Sequence, residues 1–468
     1  MKQLLVVIFF IVYGLDLTSC SVNDSDAENS TLPDFSDTTL VSLIEENTPN
    51  LTIKEGIVCT KEQTMRIMRK NECIAVIKLG KPQIVSQAVR EEAWGYFQFP
   101  VIYRAEGSRA LIVKWAMQDD SPAAYGQNAG DRLMSYDEGV TWVPLDNDYY
   151  EKKRSRVELS NGSILQVKNP SSKMVSSYEW FPSPVNERPI GKSNYDFYLE
   201  QNLPEELQGV YFSLYNTSSK TESVFHANLY DPGLLRYSIN GLMPIVWSGY
   251  IKELQDGSLV ASVYGGFYKS SLGKILRTGI SFYKSIDMGH NWSILGKIPY
   301  HGLKENDETT NPFDGKNGFS EPSFEILKDG TYICVMRNEN WNVPMCKSYS
   351  NDNGKTWSIP KPFTPNGVKP RIILMDNGTM VLISGRPGIQ LRVCVDGDGD
   401  IWSEPIDMLP FIDEEGKYDS TRETCGYADL LQVDDHTLYL VYSDFLTKNE
   451  RNEIRKSIVF RKVEIFRR

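Results

Sequence analysis

Histidine and cysteine are scarce in this sequence, and their scarcity restricts the chemistry that it can support. There are four histidines and seven cysteines among 468 residues. None of the cysteines has the spacing of metal ligands. With so few imidazoles, a zinc site or a Ser-His-Asp triad is a poor explanation of function. We therefore expect no metal and no cofactor.

The cysteines beyond Cys20 allow two interpretations. Cys334 and Cys346 lie on predicted neighbouring strands, where they could form a disulfide in an oxidising compartment. A large β domain does not need such a cross-link, so we favour buried free thiols.

The sequence also has fewer basic than acidic residues and few long apolar segments. Lysine and arginine number 50 against 61 acidic residues, which gives a net charge of -11. This balance argues against a nucleic acid partner but leaves room for a local basic pocket. Beyond residue 20, no stretch is long and apolar enough to span a bilayer.

The N-terminus has the pattern of an export signal. Lys2 precedes the apolar run Leu4–Val12, and the segment ends in Leu-Thr-Ser-Cys at Cys20. This ending resembles a bacterial lipobox, which predicts a signal peptide over residues 1–20 and lipid attachment at Cys20. An ordinary cleaved signal is the alternative. We expect a polar tether over residues 21–48, one domain over 49–468, and a monomeric cell envelope lipoprotein in contact with the membrane only through its lipid.

A polar turn followed by an alternating apolar strand occurs six times. Four of the six copies contain Asn-Gly or Asp-Gly, the strongest short-range hairpin signal. The turns lie at Gly107, Gly162, Gly257, Gly330, Gly378 and His436. Repeats of this length, each with several short strands, are typical of propeller blades. The sequence therefore predicts an all-β, six-bladed propeller.

An octapeptide of the form Ser-x-Asp-x-Gly-x-x-Trp supports this interpretation. It occurs three times, at Ser135–Trp142, Ser285–Trp292 and Ser350–Trp357. Asp and Gly favour a tight turn, and the Trp can pack beneath it. Val395–Trp402 is a decayed fourth copy; a calcium loop starting at Asp396 is the alternative, but it would need Gly where Ile401 stands.

Positions counted from each turn should converge on the central channel of a propeller. Nine residues before the turn lie Gln98, Lys153, Ser248, Glu321, Lys369 and Tyr427, and seven after it lie Lys114, Asn169, Tyr264, Arg337, Gly385 and Ser443. Because a hairpin brings its two ends together, we expect Glu321 and Arg337 to meet. A structural ion pair is the alternative, but Tyr427, Lys369 and Arg386 converge in the same frame.

These segments resemble the sialidase (neuraminidase) superfamily of six-bladed propellers with Asp-box hairpins. Phe319–Arg337 is similar to the family segment with a glutamate and a substrate-binding arginine, and Gly426–Tyr442 to the segment with the tyrosine nucleophile. Phe97–Trp142 is similar to the segment with the acid/base aspartate. The resemblance implies Tyr427 as nucleophile, Glu321 as its base, and Asp119 or Asp120 as acid/base. A phenol suits an anionic sugar, which would repel a carboxylate nucleophile.

One departure from the family pattern concerns the substrate. The family has an arginine in a Phe-Arg-Ile-Pro motif, where this chain has Phe97-Gln98-Phe99-Pro100. Glutamine cannot make the charge-assisted fork of arginine to a carboxylate. Arg337 and Arg386 remain as clamp residues, with Lys369 or Arg371 as compensating cations and Gln98 as a neutral contact. The substrate is therefore expected to be sialic acid or a related sugar, such as a uronic acid or a deoxy sugar.

Aromatic residues are concentrated between the second and third turns. They include Tyr178, Trp180, Phe181, Tyr195, Phe197 and Tyr198. Such rings form either a sugar-stacking wall or the core of an enlarged blade, and the sequence leaves both open.

Three functional hypotheses follow. The first is a sialidase-like retaining exo-glycosidase that releases a terminal, acidic sugar. The second is a propeller glycosidase or polysaccharide lyase acting on glycans that contain uronic acid or rhamnose. The third is a non-catalytic glycan-binding propeller, since a fold alone does not establish an activity.

Overall fold

The computed structural model describes residues 39–44, 56–124, 127, 129–146, 148–190, 193–244, 247–300, 318–339, 344–364, 367–410, 413–414, 417–418 and 421–468. The predicted signal peptide and Cys20 lie outside these residues. All of the described residues belong to one compact unit, Thr38–Arg468. In the described ranges no helix has the length and apolar character needed to cross a membrane.

The structure is built almost wholly of strands. The first are β1 (Thr39–Ile44), β2 (Ile57–Val58), β3 (Gln63–Arg69), β4 (Glu72–Leu79), β5 (Gln83–Gln87), β6 (Tyr96–Arg104), β7 (Leu111–Met117), β8 (Gly130–Ser135), β9 (Arg156–Glu158) and β10 (Ser163–Val167). Next come β11 (Lys173–Met174), β12 (Asn186–Ile190), β13 (Ser193–Leu199), β14 (Val210–Asn216), β15 (Thr221–Tyr230), β16 (Leu235–Ile239), β17 (Leu242–Met243), β18 (Ser248–Glu253), β19 (Leu259–Tyr264), β20 (Ile280–Ser285) and β21 (Asn291–Ile298).

The remaining strands lie in the C-terminal third. They are β22 (Phe319–Ile326), β23 (Tyr332–Asn338), β24 (Met345–Ser350), β25 (Lys361–Thr364), β26 (Val368–Leu374), β27 (Met380–Gly385), β28 (Ile389–Cys394), β29 (Trp402–Ser403), β30 (Ile406–Asp407), β31 (Asp413–Glu414), β32 (Lys417–Tyr418), β33 (Ala428–Gln432), β34 (Thr437–Lys448) and β35 (Ile454–Arg467). Short 3₁₀ helices are found at Pro122–Ala124, Val175–Ser177, Glu200–Asn202 and Glu205–Leu207.

Each of the six predicted turns joins an antiparallel strand pair. The pairs are β6–β7, β9–β10, β18–β19, β22–β23, β26–β27 and β33–β34. Their buried faces carry the alternating Val, Ile and Leu side chains from which the hairpins were predicted. The all-β class and its repeated hairpins are therefore confirmed.

The sheets do not separate into six equal blades. Strands β18-β19-β20-β21-β15-β14-β10-β9 form one eight-stranded sheet, because β15 and β21 pair in parallel and join two hairpin units. A second eight-stranded sheet unites β29, β1, β3, β4, β35, β34 and β33 with β5. Smaller sheets of five, five, four, three and two strands complete the described fold. The structure thus shows propeller-like sheets, and the blade count of six stays a prediction.

The N-terminal and C-terminal segments share a sheet. Strand β35 pairs with β34 on one side and with β4 and β5 on the other. Strand β1 pairs in parallel with β3, with Val41 fully buried, although residues 39–44 fall within the expected tether. The domain boundary expected at residue 48 stays a prediction.

The octapeptides form the hairpin turns that their sequence predicted. In the second copy, Asp287 accepts hydrogen bonds from the Asn291 backbone at 2.9 Å and from the Ser285 hydroxyl at 2.8 Å, while the Trp292 indole donates to the Gly289 carbonyl at 2.9 Å. The decayed copy keeps the last of these bonds, from Trp402 to Gly399 at 2.8 Å. Its Asp398 accepts a hydrogen bond from the Asp400 backbone amide at 2.9 Å. A turn therefore accounts for this aspartate without a calcium ion.

The cysteines within the described ranges are free thiols. Cys334 and Cys346 are fully buried in one apolar cluster with Phe282, Phe319 and Phe324. Burial raises the pKa of Cys346 to about 12, as expected for a thiol that serves packing. The cysteines of the described ranges other than Cys73, which is partly exposed, are buried, in agreement with the preference for buried thiols.

Candidate functional site

The centre of the candidate site is a pair formed by Tyr427 and Glu321. Tyr427 precedes β33 and donates its hydroxyl hydrogen to Glu321 Oε1. Glu321 lies in β22 at a register shift between Ser320 and Ser323, with a left-handed φ of 48°. This unusual backbone conformation turns the carboxylate out of the regular strand pattern. Two strands far apart in the chain therefore deliver an acid and a phenol to one point.

Positive charge stabilises the ionised form of Glu321. Its Oε2 lies 3.3 Å from Arg337 Nη1 and accepts a hydrogen bond of 2.8 Å from the Lys369 backbone amide. Burial alone would raise the pKa of Glu321, but the charges of Arg337 and Lys369 outweigh it and hold the pKa below its ordinary value. Glu321 is only 3% exposed and is a carboxylate at neutral pH.

Tyr427 is a neutral phenol at neutral pH. Burial and the adjacent Glu321 charge hold the pKa of Tyr427 well above its ordinary value. Its ring is half-buried and lies edge-on to Phe99, with 4.7 Å between ring centroids. A neutral hydroxyl that already donates to a carboxylate is the arrangement required for base-assisted nucleophilic attack.

Arg337 is shared between two carboxylates. Besides Glu321, its Nη2 lies 3.4 Å from Glu339 Oε2, and Glu339 accepts a hydrogen bond from the Ser320 hydroxyl. Burial would lower the pKa of Arg337, but the two carboxylates raise it. The expected meeting of Glu321 and Arg337 is confirmed, and Glu339 is an addition that the sequence reasoning missed.

The predicted cations Lys369 and Arg371 lie over one aromatic ring. Lys369 Nζ is 5.5 Å and the Arg371 guanidinium 4.3 Å from the centre of the Tyr250 ring. Arg371 Nε also lies 3.9 Å from Asp429 Oδ1. Burial lowers the pKa of the Lys369 ammonium. Tyr250 therefore assembles two of the predicted substrate-binding cations beside Glu321.

Arg386 and Asp120 are connected through Trp94. Arg386 donates to the Cys425 carbonyl at 3.3 and 3.1 Å, and its guanidinium lies 5.9 Å from the Trp94 ring centre. The Trp94 indole donates to Asp120 Oδ2 at 3.0 Å. Asp119 is exposed beside it. The backbone here passes so close to Gly95, at a φ of +97°, that a Cβ would lie 2.2 Å from the Gln118 carbonyl oxygen.

Gln98 lies away from the position that counting from the turn assigned to it. Phe99 has the same backbone conformation as Glu321 and Lys369. The φ angles of these three residues are 54°, 48° and 46°, and each residue precedes a proline. Gln98 pairs with Ala116, as Ser320 pairs with Arg337. The turn glycine lies three residues after the last paired residue of β6 but four residues after those of β22 and β26, so the count shifted by one. Within the described ranges, both polar side-chain atoms of the fully buried Gln98 have no hydrogen-bond partner.

Two further residues of the site were missed by the sequence reasoning. Arg154 donates to the Pro100 carbonyl at 2.6 Å and to the Ala428 carbonyl at 3.1 Å. Asp429 accepts from the Ile102 backbone at 3.2 Å. Burial would lower the pKa of Arg154, but Asp429 raises it. Arg154 follows Lys153, one of the positions counted from a turn, and Asp429 lies two residues after Tyr427. Alternation along the strand was therefore the sequence signal that could have indicated both residues.

Most of the aromatic segment serves as a core. Its strands belong to the sheet β11-β17-β16-β13-β12, separate from the hairpin units. Tyr178, Phe181 and Tyr198 pack together, whereas Trp180 is 64% exposed. Tyr195 lies closest to the site: burial and the charge of Glu339 raise its pKa. The core interpretation accounts for most of these rings.

One cluster of possible metal ligands is found in the described ranges, and it lies outside the site. Asp434, Asp435 and His436 are gathered at the β33–β34 turn. Asp434 accepts hydrogen bonds from the His436 and Thr437 backbones at 3.0 and 2.7 Å. The turn itself explains these side chains.

Part of the chain matches a known protein family. Residues 238–440 match the family described as BNR repeat-like domain. A protein of unknown function from Dyadobacter fermentans DSM 18053 has a TM-score of 0.52 at 16% identity, over 82% of this chain and 99% of that one. None of the curated proteins matches the chain. The predicted resemblance to BNR-repeat proteins is thereby confirmed over residues 238–440, and the structural match shows a shared fold.

Solved sialidases are also among the similar structures. The K499G mutant of NanB sialidase from Streptococcus pneumoniae has a TM-score of 0.40 at 14% identity, over 82% of this chain and 70% of that one. Trypanosoma rangeli sialidase in complex with 2,3-difluorosialic acid has a TM-score of 0.38 at 14% identity, over 80% of this chain and 54% of that one.

Proposed function

We propose that this protein is a retaining exo-glycosidase of sialidase type that releases a terminal, acidic sugar from glycans. The observation that carries the proposal is the Tyr427–Glu321 pair, with Arg337 and the Lys369 amide on the other carboxylate oxygen. A purely structural ion pair of Glu321 and Arg337 would not need a half-buried tyrosine hydroxyl directed at the same carboxylate.

The proposed reaction has two displacements. Glu321 accepts the Tyr427 proton while the phenolic oxygen bonds to the anomeric carbon, and the bond to the leaving oxygen breaks as Asp119 or Asp120 protonates that oxygen. Water then attacks the same carbon as the bond to the Tyr427 oxygen breaks, the proton of the water passes to the aspartate, and Tyr427 recovers its proton from Glu321. Two inversions leave the anomeric configuration unchanged.

The charges around the pair support an anionic or strongly polar sugar. Lys369 and Arg371 lie over the Tyr250 ring beside the pair, and Arg386 and Arg154 contact the carbonyls of Cys425 and Ala428, on either side of Tyr427 in the chain. Arg337, however, already contacts two carboxylates. Gln98 also takes the place of an arginine in the family motif. A uronic acid or a deoxy sugar such as rhamnose is therefore a candidate beside sialic acid.

The architecture and location are part of the proposal. Six hairpins, each from one sequence repeat, support six blades, with β4 and β5 joined to the last. The N-terminal sequence supports a lipoprotein of the cell envelope, anchored at Cys20 and facing the periplasm or the cell surface, and a monomer is part of the same proposal.

Two other activities are kept for specific reasons. A lyase would use Tyr427 to remove a proton beside a sugar carboxylate, and its unsaturated product absorbs ultraviolet light. A non-catalytic binding protein is favoured by the buried, unpaired Gln98.

A panel of sialosides, uronosides and rhamnosides tests the proposal. The protein should release a monosaccharide from one class, and Tyr427→Phe should lower that rate by at least about 10³-fold while binding persists. Tyr442→Phe is the matched control, since Tyr442 is a buried phenol in the neighbouring strand. Unchanged turnover by Tyr427→Phe contradicts the proposal, and binding without release from any class favours a binding protein.

A further inference from the structure

A groove outside the Tyr427 site lies between the first two hairpin units. Its volume is about 520 Å³, within the range of small-molecule sites. Lys153, Gln166 and Lys168 line it from the second unit, and Arg132 and Glu151 line it from the side of the first. Neither Tyr427 nor Glu321 belongs to its lining.

The groove is basic although the whole chain is acidic. Four basic and three acidic residues line it. Glu151 is paired with both Lys114 and Arg132, and Glu222 lies 3.3 Å from Lys168. Two of the three acids are therefore neutralised by neighbouring cations.

Of the four lining cations, Lys153 and Lys220 are left over; Lys220 is exposed, whereas Lys153 is half-buried. Over the described ranges its ammonium group has no carboxylate within ion-pair distance, while its backbone amide is fixed at 2.9 Å from Gln166 Oε1. Burial, together with the nearby Lys114 charge, lowers the pKa of Lys153. Lys114 and Lys168 lie near this half-buried cation, and the nearby Glu151 and Glu222 are shared with their own cation partners, so an anion that enters the cavity stabilises Lys153.

The wall of the groove is rigid and aromatic. The Tyr150 and Tyr215 rings are parallel, with centroids 3.9 Å apart. The Tyr150 hydroxyl contacts Ser213 at 2.9 Å and accepts from Gln166 at 3.0 Å. Aromatic surfaces with fixed hydroxyl groups suit the apolar faces and hydroxyls of sugar rings, and a preformed wall lowers the entropy lost on binding.

We propose that this groove is a second glycan-binding site, which takes a sugar unit bearing a carboxylate or a sulfate and holds that anion on Lys153. Lys153 is adjacent in sequence to Arg154, whose guanidinium donates to the Ala428 carbonyl next to Tyr427. A long acidic glycan can therefore occupy the groove while another of its units lies at the pair. The groove site does not depend on catalysis at Tyr427.

Titration calorimetry on Tyr427→Phe protein tests this site without turnover. The probes are a glucuronic acid disaccharide, a sulfated disaccharide and a neutral glucose disaccharide. We expect binding of at least one acidic probe, weakened at least about tenfold by Lys153→Gln, and weaker binding of the neutral probe. Comparing the two acidic probes distinguishes carboxylate from sulfate.

Two controls keep the result unambiguous. Lys153→Met removes the charge with nearly the same side-chain length, so a loss seen with both variants is not a folding defect. Lys284→Gln removes a lysine 3.7 Å from Asp256 and should leave binding unchanged. Equal affinity of Lys153→Gln and its parent, or failure of both acidic probes to bind, overturns the site. Loss of glycosidase activity in Tyr427→Phe has no bearing on it.

Discussion

A single carboxylate, Glu321, connects the charges of the candidate site. One of its oxygens accepts a hydrogen bond from the Tyr427 hydroxyl, and the other contacts Arg337 and the Lys369 amide. Its pKa is lowered and that of Tyr427 is raised, so the proton remains on the phenol until the reaction. Such opposite shifts separate a base from the group that it activates.

The pH dependence of kcat/KM should follow Glu321. Protonation of Glu321 abolishes the base, so activity should persist below the ordinary pKa of 4.5 and fall as pH decreases through the lowered value. Lys369→Met removes a stabilising charge and should move this acid limb upward by about one pH unit. Lys252→Met, which removes a lysine paired with Glu325 at 2.8 Å, is the control. An unmoved limb in Lys369→Met would mean that another group sets it.

Hairpin turns dominate at the scale of elements. In each intact octapeptide an aspartate accepts hydrogen bonds from the residue four positions later, through its backbone and its side chain, as Asp352 does with Thr356 at 2.8 and 2.6 Å. The glycine and tryptophan then fix the turn on the sheet. The octapeptide is a structural device and lies apart from the Tyr427 site.

Asp287→Ala should destabilise the protein without changing its chemistry. Its carboxylate accepts bonds from Asn291 at 2.9 and 2.6 Å and from Ser285 at 2.8 Å. We expect a loss of about 1–2 kcal/mol in the free energy of unfolding, measured by urea denaturation. Asp376→Ala, at an exposed turn aspartate, should have little effect. A stability equal to wild type for Asp287→Ala would show that the glycine and tryptophan suffice.

The sequence predicted hairpins better than it predicted their exact alignment. Alternation and turn residues are local signals, so each of the six strand pairs was found, together with the meeting of Glu321 and Arg337. The glycine of the first turn lies one residue nearer to its strand than in the other turns, which displaced Gln98 in the count, and a count cannot detect where a strand bulges. Glu339, Arg154 and Asp429 were missed since their roles depend on contacts between distant strands. The parallel β15–β21 pairing leaves no local sequence signal.

At the scale of the whole domain, the N-terminal strands β4 and β5 pair with the C-terminal strand β35 in one sheet. Arg461 of β35 is fully buried and donates to the carbonyls of Gly80, Cys59 and Lys61, the first at 2.7 Å. Burial lowers the pKa of Arg461. This one guanidinium satisfies three carbonyls of the N-terminal segment, and so joins that segment to the last strand.

Arg461→Met should weaken this connection. Removal of the guanidinium leaves buried carbonyls without donors, and we expect the free energy of unfolding to fall by about 2–4 kcal/mol in urea denaturation. Lys462→Met changes a neighbouring residue whose ammonium is 3.0 Å from Glu464 and is partly exposed, so its effect should be small. Equal stability of the two variants would mean that strand pairing alone joins the ends.

The anomeric configuration of the first product tests the central claim most directly. Proton NMR during turnover of the substrate found in the panel would record which anomer appears before mutarotation. The account predicts retention, because Tyr427 attacks first and water attacks second at the same carbon. Inversion in the first-formed sugar would contradict a Tyr427 nucleophile with Glu321 as its base.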